Sequence, residues 1–168
     1  MAIVTVDGGN LYWHRHAHDD PMAMRVHELI PMCRQRGLDG PLAATGISMG
    51  GYGALLLAER HPRMVRLVSA ISPAIWTTYA QAHAANPDAF NSAADFAAND
   101  IITHAAQLTG IPVRITGGAH DPFHPGQLAL LEALGANSEA YFGPGCHDQA
   151  FFASQEPASL EFIVAHLH

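Results

Sequence analysis

Three residues set far apart in this 168-residue chain, Ser48, Asp121 and His147, could together cleave or transfer an acyl group. Ser48 is the centre of Gly46-Ile47-Ser48-Met49-Gly50, with an apolar run (Leu42-Ala43-Ala44) before it and a helix-forming run (Ala54 to Arg60) after it. A serine at a sharp strand-to-helix turn has its hydroxyl lifted clear of the sheet, and glycines on either side leave room for the bend. The backbone N–H of Met49, at the start of the new helix, would face the oxyanion formed when Ser48 attacks a carbonyl. Such a hydroxyl needs a base to take its proton and a carboxylate to hold that base in the right tautomer. The plain alternative is a glycine-rich turn with an incidental serine.

When this chemistry is built on a parallel sheet, serine, acid and histidine follow in that chain order, each in a loop after a strand. Asp121 lies in the loop after a strand over Val113–Thr116, and His147 in the loop after one over Ser138–Phe142. Those loops leave the sheet at the same edge as Ser48. An aspartate before proline is also a turn former or helix cap. His147 competes with eleven other histidines: His120 and His124 sit on the acid's own loop, and His166 and His168 fall on the tail helix. His147 combines a Gly-Pro-Gly approach, a position after the last strand and a following helix. Asp148 is the rival acid, and Cys146 is expected to pack rather than react.

The elements that must position these residues follow from periodicity and punctuation. Ala2–Val6 is a β-branched run stopped by Asp7-Gly8-Gly9, which predicts a strand and a turn. Residues 10–20 form an irregular loop. Pro21 opens a helix in which Met22, Val26, Leu29, Ile30 and Cys33 share a face; Pro31 should kink it and Gly37 end it. Met64–Ser72 predicts a strand buried on both faces. Residues 73–99 have poor periodicity and predict a lid or substrate-binding insertion. Ile101–Leu108 predicts a short helix, Gln127–Leu134 another, and Pro157 opens a tail helix with Leu160, Ile163, Val164 and Leu167 on one face. Strands alternating with helices imply one domain, residues 1–168, with a mostly parallel sheet covered on both sides.

Apolar content of 49% and charged content of 14% describe a globular chain with a real core. A net charge of −7 with no basic run argues against a nucleic-acid partner. All eight basic residues are arginine, a compositional bias with no bearing on mechanism. Two cysteines, Cys33 and Cys146, are too few for a disulfide framework and predict free, buried thiols. No stretch reaches the length of a membrane span, and the N-terminus lacks a signal-peptide layout, so the chain as it stands predicts a cytoplasmic location. His14, His16 and His18 alternate, a spacing that can bring three imidazoles to zinc. Without a stiff frame, the preferred reading is a solvated histidine-rich loop and no metal.

Three segments together resemble the serine esterases of the esterase D and tributyrin-esterase type, in the group that includes mycobacterial mycolyltransferases. They are Gly46–Ala54 (Gly-Ile-Ser-Met-Gly-Gly-Tyr-Gly-Ala), His120–Phe123 (His-Asp-Pro-Phe) and Pro144–Phe152 (Pro-Gly-Cys-His-Asp-Gln-Ala-Phe-Phe). Val6–His14 (Val-Asp-Gly-Gly-Asn-Leu-Tyr-Trp-His) resembles an active-site loop of actinobacterial members. The resemblance implies an α/β-hydrolase-type three-layer sandwich and hydrolysis of carboxylic esters or thioesters through an acyl-enzyme on Ser48. It makes Asp121 and His147 the partners of Ser48 and the Met49 N–H one oxyanion donor, without metal or organic cofactor. Tyr12, Trp13, Trp76 and Phe123 are expected to line the substrate pocket of a small acyl ester. Acyl transfer of the mycolyltransferase kind is the alternative, and a catalytically impaired fragment the third reading.

The resemblance also implies that the family's N-terminal strands precede what is present here, leaving about five. The loop giving the second oxyanion donor would be missing, with Gly8 or Gly9 as possible substitutes. Ala2–Val6 is then expected to pair directly with Leu42–Ile47, or the uncovered edge to support a homodimer.

Overall fold

The computed structural model describes residues 1–167; His168, expected on the tail helix, lies outside them. The first helical stretch is α1 (Pro21–Met24), a π-helical turn (Arg25–Leu29) and α2 (Ile30–Gln35) in unbroken succession. The Ile30 N–H reaches back five residues to the Arg25 carbonyl. The expected kink at Pro31 therefore takes the form of a widened turn immediately before it, which makes room for a ring without an N–H.

Four strands follow: β1 (Leu42–Ile47), β2 (Val65–Ile71), β3 (Val113–Gly118) and β4 (Ser138–Gly143). They are all parallel and lie side by side in chain order. The sheet thus has four strands, not the expected five. Ala2–Val6 forms no strand, and among the described residues it does not pair with β1. Ile3 and Val4 face solvent at 72% and 48% exposure. β-Branched composition favours an extended backbone, but a strand needs a neighbour to bond and a face to bury.

Helix α3 (Met49–Arg60) begins directly after Ser48 and is buried from Gly51 to Ala58. It packs on β1 and β2, and α6 (His124–Leu134) packs on β3 on the same face. The other face is covered by α7 (Gln149–His166), where Phe162 and Ile163 meet Leu67 in a second cluster. Helices on both faces of a parallel sheet give the α/β-hydrolase-type sandwich. α7 starts at Gln149, not at Pro157, because the Asp148 side chain accepts from the Phe151 N–H at 2.9 Å and caps it. Its buried face is Phe151, Gln155, Ser159, Phe162 and Ile163, while Leu160 and Val164 are exposed.

Residues 73–99 carry two short helices, α4 (Tyr79–Ala85) and α5 (Ala93–Ala98), capped by Thr78 and Ser92. Ala82, Ala89 and Phe90 bury into the main core, so this insertion is anchored along its length. Of the helix expected over Ile101–Leu108, only a 3-10 turn at Ala105–Leu108 forms. Cys33 is half-buried and Cys146 exposed, both as free thiols; burial was expected for each. No helix of the described residues is long and apolar enough to cross a membrane.

Candidate active site

Because the four strands are parallel, the loops after β1, β2, β3 and β4 all leave at one rim. At that rim the His147 Nε2 lies 2.8 Å from Ser48 Oγ, and its Nδ1 lies 2.9 Å from Asp121 Oδ2. A hydroxyl, an imidazole and a carboxylate are thus linked in a single hydrogen-bonded line.

Ser48 sits at φ 56°, a left-handed backbone conformation that costs a non-glycine residue about 1–3 kcal/mol. Three backbone bonds hold it there. Its N–H donates to the Ile71 carbonyl at 2.9 Å, and its carbonyl accepts from Tyr52 at 3.1 Å and Ala74 at 3.0 Å. A Cβ at Gly46 would overlap the Gly50 carbonyl, so the bend brings backbone against backbone at that point. A Cβ at Gly50 would meet nothing within 4 Å. Only the first glycine of the motif is required by space.

The acid and base loops are stitched to each other. Ala119 donates to the Gly143 carbonyl at 2.8 Å and His120 to that of Gly145 at 2.9 Å. Asp121 is buried and accepts from His147, from the Phe123 N–H (2.8 Å) and from Gln127 Nε2 (3.3 Å). Burial alone would push its carboxyl up, but the His147 bond, the Phe123 amide, the His147 charge and Gln127 together outweigh it and hold it below the usual value. The carboxylate is therefore ionised at neutral pH. Gln127 is fully buried and also donates to the Pro73 carbonyl at 3.2 Å.

A family model described as "Putative esterase" matches residues 17–142 of the chain. The chain belongs to this esterase family. Membership supports an esterase-type function. No curated protein sequence matches the chain. Among solved structures it is similar to a ferulic acid esterase (TM-score 0.77, 17% identity, 95% of this chain and 68% of that one). It is similar to an S-formylglutathione hydrolase from Agrobacterium tumefaciens (0.71, 19% identity, 89% and 58%). It is also similar to Mycobacterium tuberculosis MPT51 (FbpC1) (0.71, 19% identity, 94% and 73%). At such identities the likeness establishes the fold, and the chain spans from 58% to 73% of those three proteins.

In this esterase-family chain the remaining expected residues fall in different places. Met49 opens α3, and among the described residues no acceptor occupies its N–H. The Gly9 amide is taken by Asp7 Oδ1 at 2.9 Å, so it is not free for an oxyanion. Gly8 is buried against the Trp13 ring. Tyr12 and Trp13 do not line an open pocket. Tyr12 is buried and its hydroxyl accepts from Trp76 Nε1 at 2.9 Å, while Trp13 fills the space between Gly8, Gly53 and the Arg25 guanidinium 4.5 Å over its ring.

Trp76 and Phe123 are half-exposed and meet edge to face, centroids 4.6 Å apart. Beyond Trp76 lies a cavity of about 190 Å³, bounded by Ile75, Pro122, Pro125 and Gly126. A larger hollow of about 340 Å³ lies elsewhere, where Ile111–Val113 lead into β3 and Ser138 opens β4, at the end of the sheet away from Ser48. His14 is not a solvated loop residue: it is buried, with Nε2 2.8 Å from the Ala89 carbonyl and its ring against His16 and Phe90. Among the described residues no three His, Cys, Asp or Glu side chains are grouped to hold a metal ion.

Sequence reasoning missed Gln127 and Phe152. Gln127 lies six residues beyond Asp121, a spacing with no recognisable signature. Phe152 stands in a quoted motif, but only the start of α7 at Asp148 turns its ring to within 4.9 Å of the His147 ring.

Proposed function

We propose that this chain is a serine carboxylic-ester or thioester hydrolase working through an acyl-enzyme on Ser48. The observation that carries the reading is the unbroken line from Ser48 Oγ through His147 to Asp121, with 2.8 Å and 2.9 Å links. With Nδ1–H donated to Asp121, the neutral Nε2 accepts the serine proton as Oγ attacks the acyl carbon. The resulting imidazolium is stabilised by the ionised Asp121 and returns its proton to the leaving oxygen or sulfur. Water, activated by the same nitrogen, then releases the acid. The Met49 N–H, at the positive end of α3, stabilises the oxyanion in both steps.

A second oxyanion donor has one remaining candidate in the Gly8 amide, on the loop that Trp13 pins against Gly53. Working with a single donor lowers turnover by about 10²–10³-fold. The test is labelling of the folded protein by a fluorophosphonate, with p-nitrophenyl acetate turnover measured in parallel. Both are expected in the wild type and neither in Ser48→Ala. Unlabelled folded wild type, or labelling that persists in Ser48→Ala, overturns the assignment.

A further inference from the structure

We infer that the alcohol half of the substrate is aromatic, and that Phe123 and Phe152 are the residues that select it. This rests on the serine-esterase reading above and adds to it which half of the ester is recognised, and by what.

The proton that His147 takes from Ser48 is handed from Nε2 to the departing group, so that group must lie within hydrogen-bond reach of Nε2 while its bond to the acyl carbon breaks. A ring packed beside the imidazole is therefore close enough to meet the departing alcohol. Two phenyl rings flank the imidazole. The Phe123 centroid is 5.0 Å from that of His147 at an interplanar angle of 58°, and the Phe152 centroid is 4.9 Å away at 83°. Both side chains are only partly buried, which leaves ring surface open at the rim. Aromatic rings at these separations prefer tilted and edge-to-face neighbours, the arrangement an incoming aryl group would extend.

The surface is held rigid from behind. Trp76 packs edge to face on Phe123, and the Trp76 indole is in turn fixed by its bond to the buried Tyr12 hydroxyl. Phe123 is also tied through its own N–H to Asp121, and Phe152 rides on the first turn of α7, fixed by the Asp148 cap. A preformed wall spends little of the binding energy on ordering side chains. On the Trp76 side lies a cavity of about 190 Å³ lined by Ile75, Thr77, Gln81, Pro122 and Pro125, with room for one further ring.

Charge does not compete with this choice. Arg25 bonds the Gly53 carbonyl, Arg36 the Met32 carbonyl, Arg60 Asn99 and Arg114 Glu139, and among the described residues no arginine bonds Ser48, Asp121 or His147.

The experiment compares kcat/KM for benzyl acetate and 2-methoxyethyl acetate, whose alcohols are of similar acidity. Both esters form the same acetyl-Ser48, so their ratio reports only recognition of the alcohol. A ratio of about tenfold in favour of benzyl is expected from two aromatic contacts. It should fall to about threefold in Phe152→Ala, which removes one of the two contacts, and by less in Phe123→Leu, which keeps an apolar side chain. Because each variant supplies its own ratio, partial loss of folded protein does not alter the outcome. Equal kcat/KM in wild type that is labelled by fluorophosphonate, or a ratio unchanged in both variants, overturns this inference and leaves the esterase reading standing. Absence of both labelling and turnover overturns the esterase reading itself, and this one with it.

Discussion

The two glycines around Ser48 offer a sharp test of the geometry, because the structure treats them oppositely. A methyl group at Gly46 would overlap the carbonyl carbon and oxygen of Gly50 and come within 2.8 Å of the Gly51 nitrogen, where carbon atoms normally stay about 3.5–4.0 Å from their neighbours. Every offending atom is backbone, so relief requires α3 to move away from β1 by roughly an ångström. Overpacking of this kind costs about 1–3 kcal/mol. For a chain of this length each kcal/mol is worth about 2–4 °C in Tm. Gly46→Ala should thus lower Tm by about 2–12 °C. A displacement of that size at a reacting group costs about 10²-fold in rate, so fluorophosphonate labelling should slow accordingly.

Gly50→Ala is the control. It places its methyl in open space inside a helix, where alanine is favoured over glycine by about 0.5–1 kcal/mol. Its Tm should rise by about 1–4 °C. Differential scanning calorimetry of the two variants beside the wild type decides the matter. A Gly46→Ala protein as stable as wild type, or a Gly50→Ala protein less stable than Gly46→Ala, would refute the description of the bend.

Further outcomes follow from the same contacts. Asp121→Asn should lower kcat by about 10⁴-fold while leaving the fold cooperative by urea titration, since the neutral amide no longer holds His147 in the working tautomer. Gln127→Leu removes the donors to Asp121 and Pro73, and should reduce kcat/KM by about 5–30-fold and move the acid limb of its pH profile upward; an unmoved limb would limit Gln127 to packing. Val4→Asp should change Tm by less than about 2 °C, as expected for an exposed and unpaired segment, and a larger loss would mean that Ala2–Val6 is paired in solution.

Burial pushes the His14 imidazole below its usual value of 6.5, against the opposing pull of Ala89 and Asp95, and the charge of nearby His16 adds to the fall. The unfolded chain then takes up a proton below about pH 6.5 that the folded one does not, so stability is full above that pH and declines as pH falls toward the lower folded value. Urea midpoints at pH 7 and pH 5.5 should show the decline, and His14→Gln should flatten it.

Local signals were strong enough to read β2, β3, β4, α3 and α6 from the sequence, because continuous apolar runs and glycine or proline stops act over a few residues. Elements whose existence depends on a distant partner were not legible. Ala2–Val6 has strand composition, but a strand is a relation between two segments. Pro157 has the composition of a helix opener, yet the Asp148 cap starts α7 earlier. The helix passes through Pro157 at the cost of a bond to Ala153, whose exposed position lets water take its place.

The same division applies at the rim. That Ser48, Asp121 and His147 each follow a strand, in that order, is a property of the sequence alone. That their atoms lie within 2.9 Å depends on the parallel register of β1 to β4 and on the amides of Ala119 and His120, which bind the β4 loop to the β3 loop. Which side of a helix faces inward is decided by packing and not by spacing, so Gln127 beneath Asp121 and Phe152 beside His147 emerge only in three dimensions. Residue types and their order determine which chemistry the chain could perform. The burial of Asp121 and Gln127, and the closeness of two phenyl rings to one imidazole, are long-range facts that no window along the sequence contains.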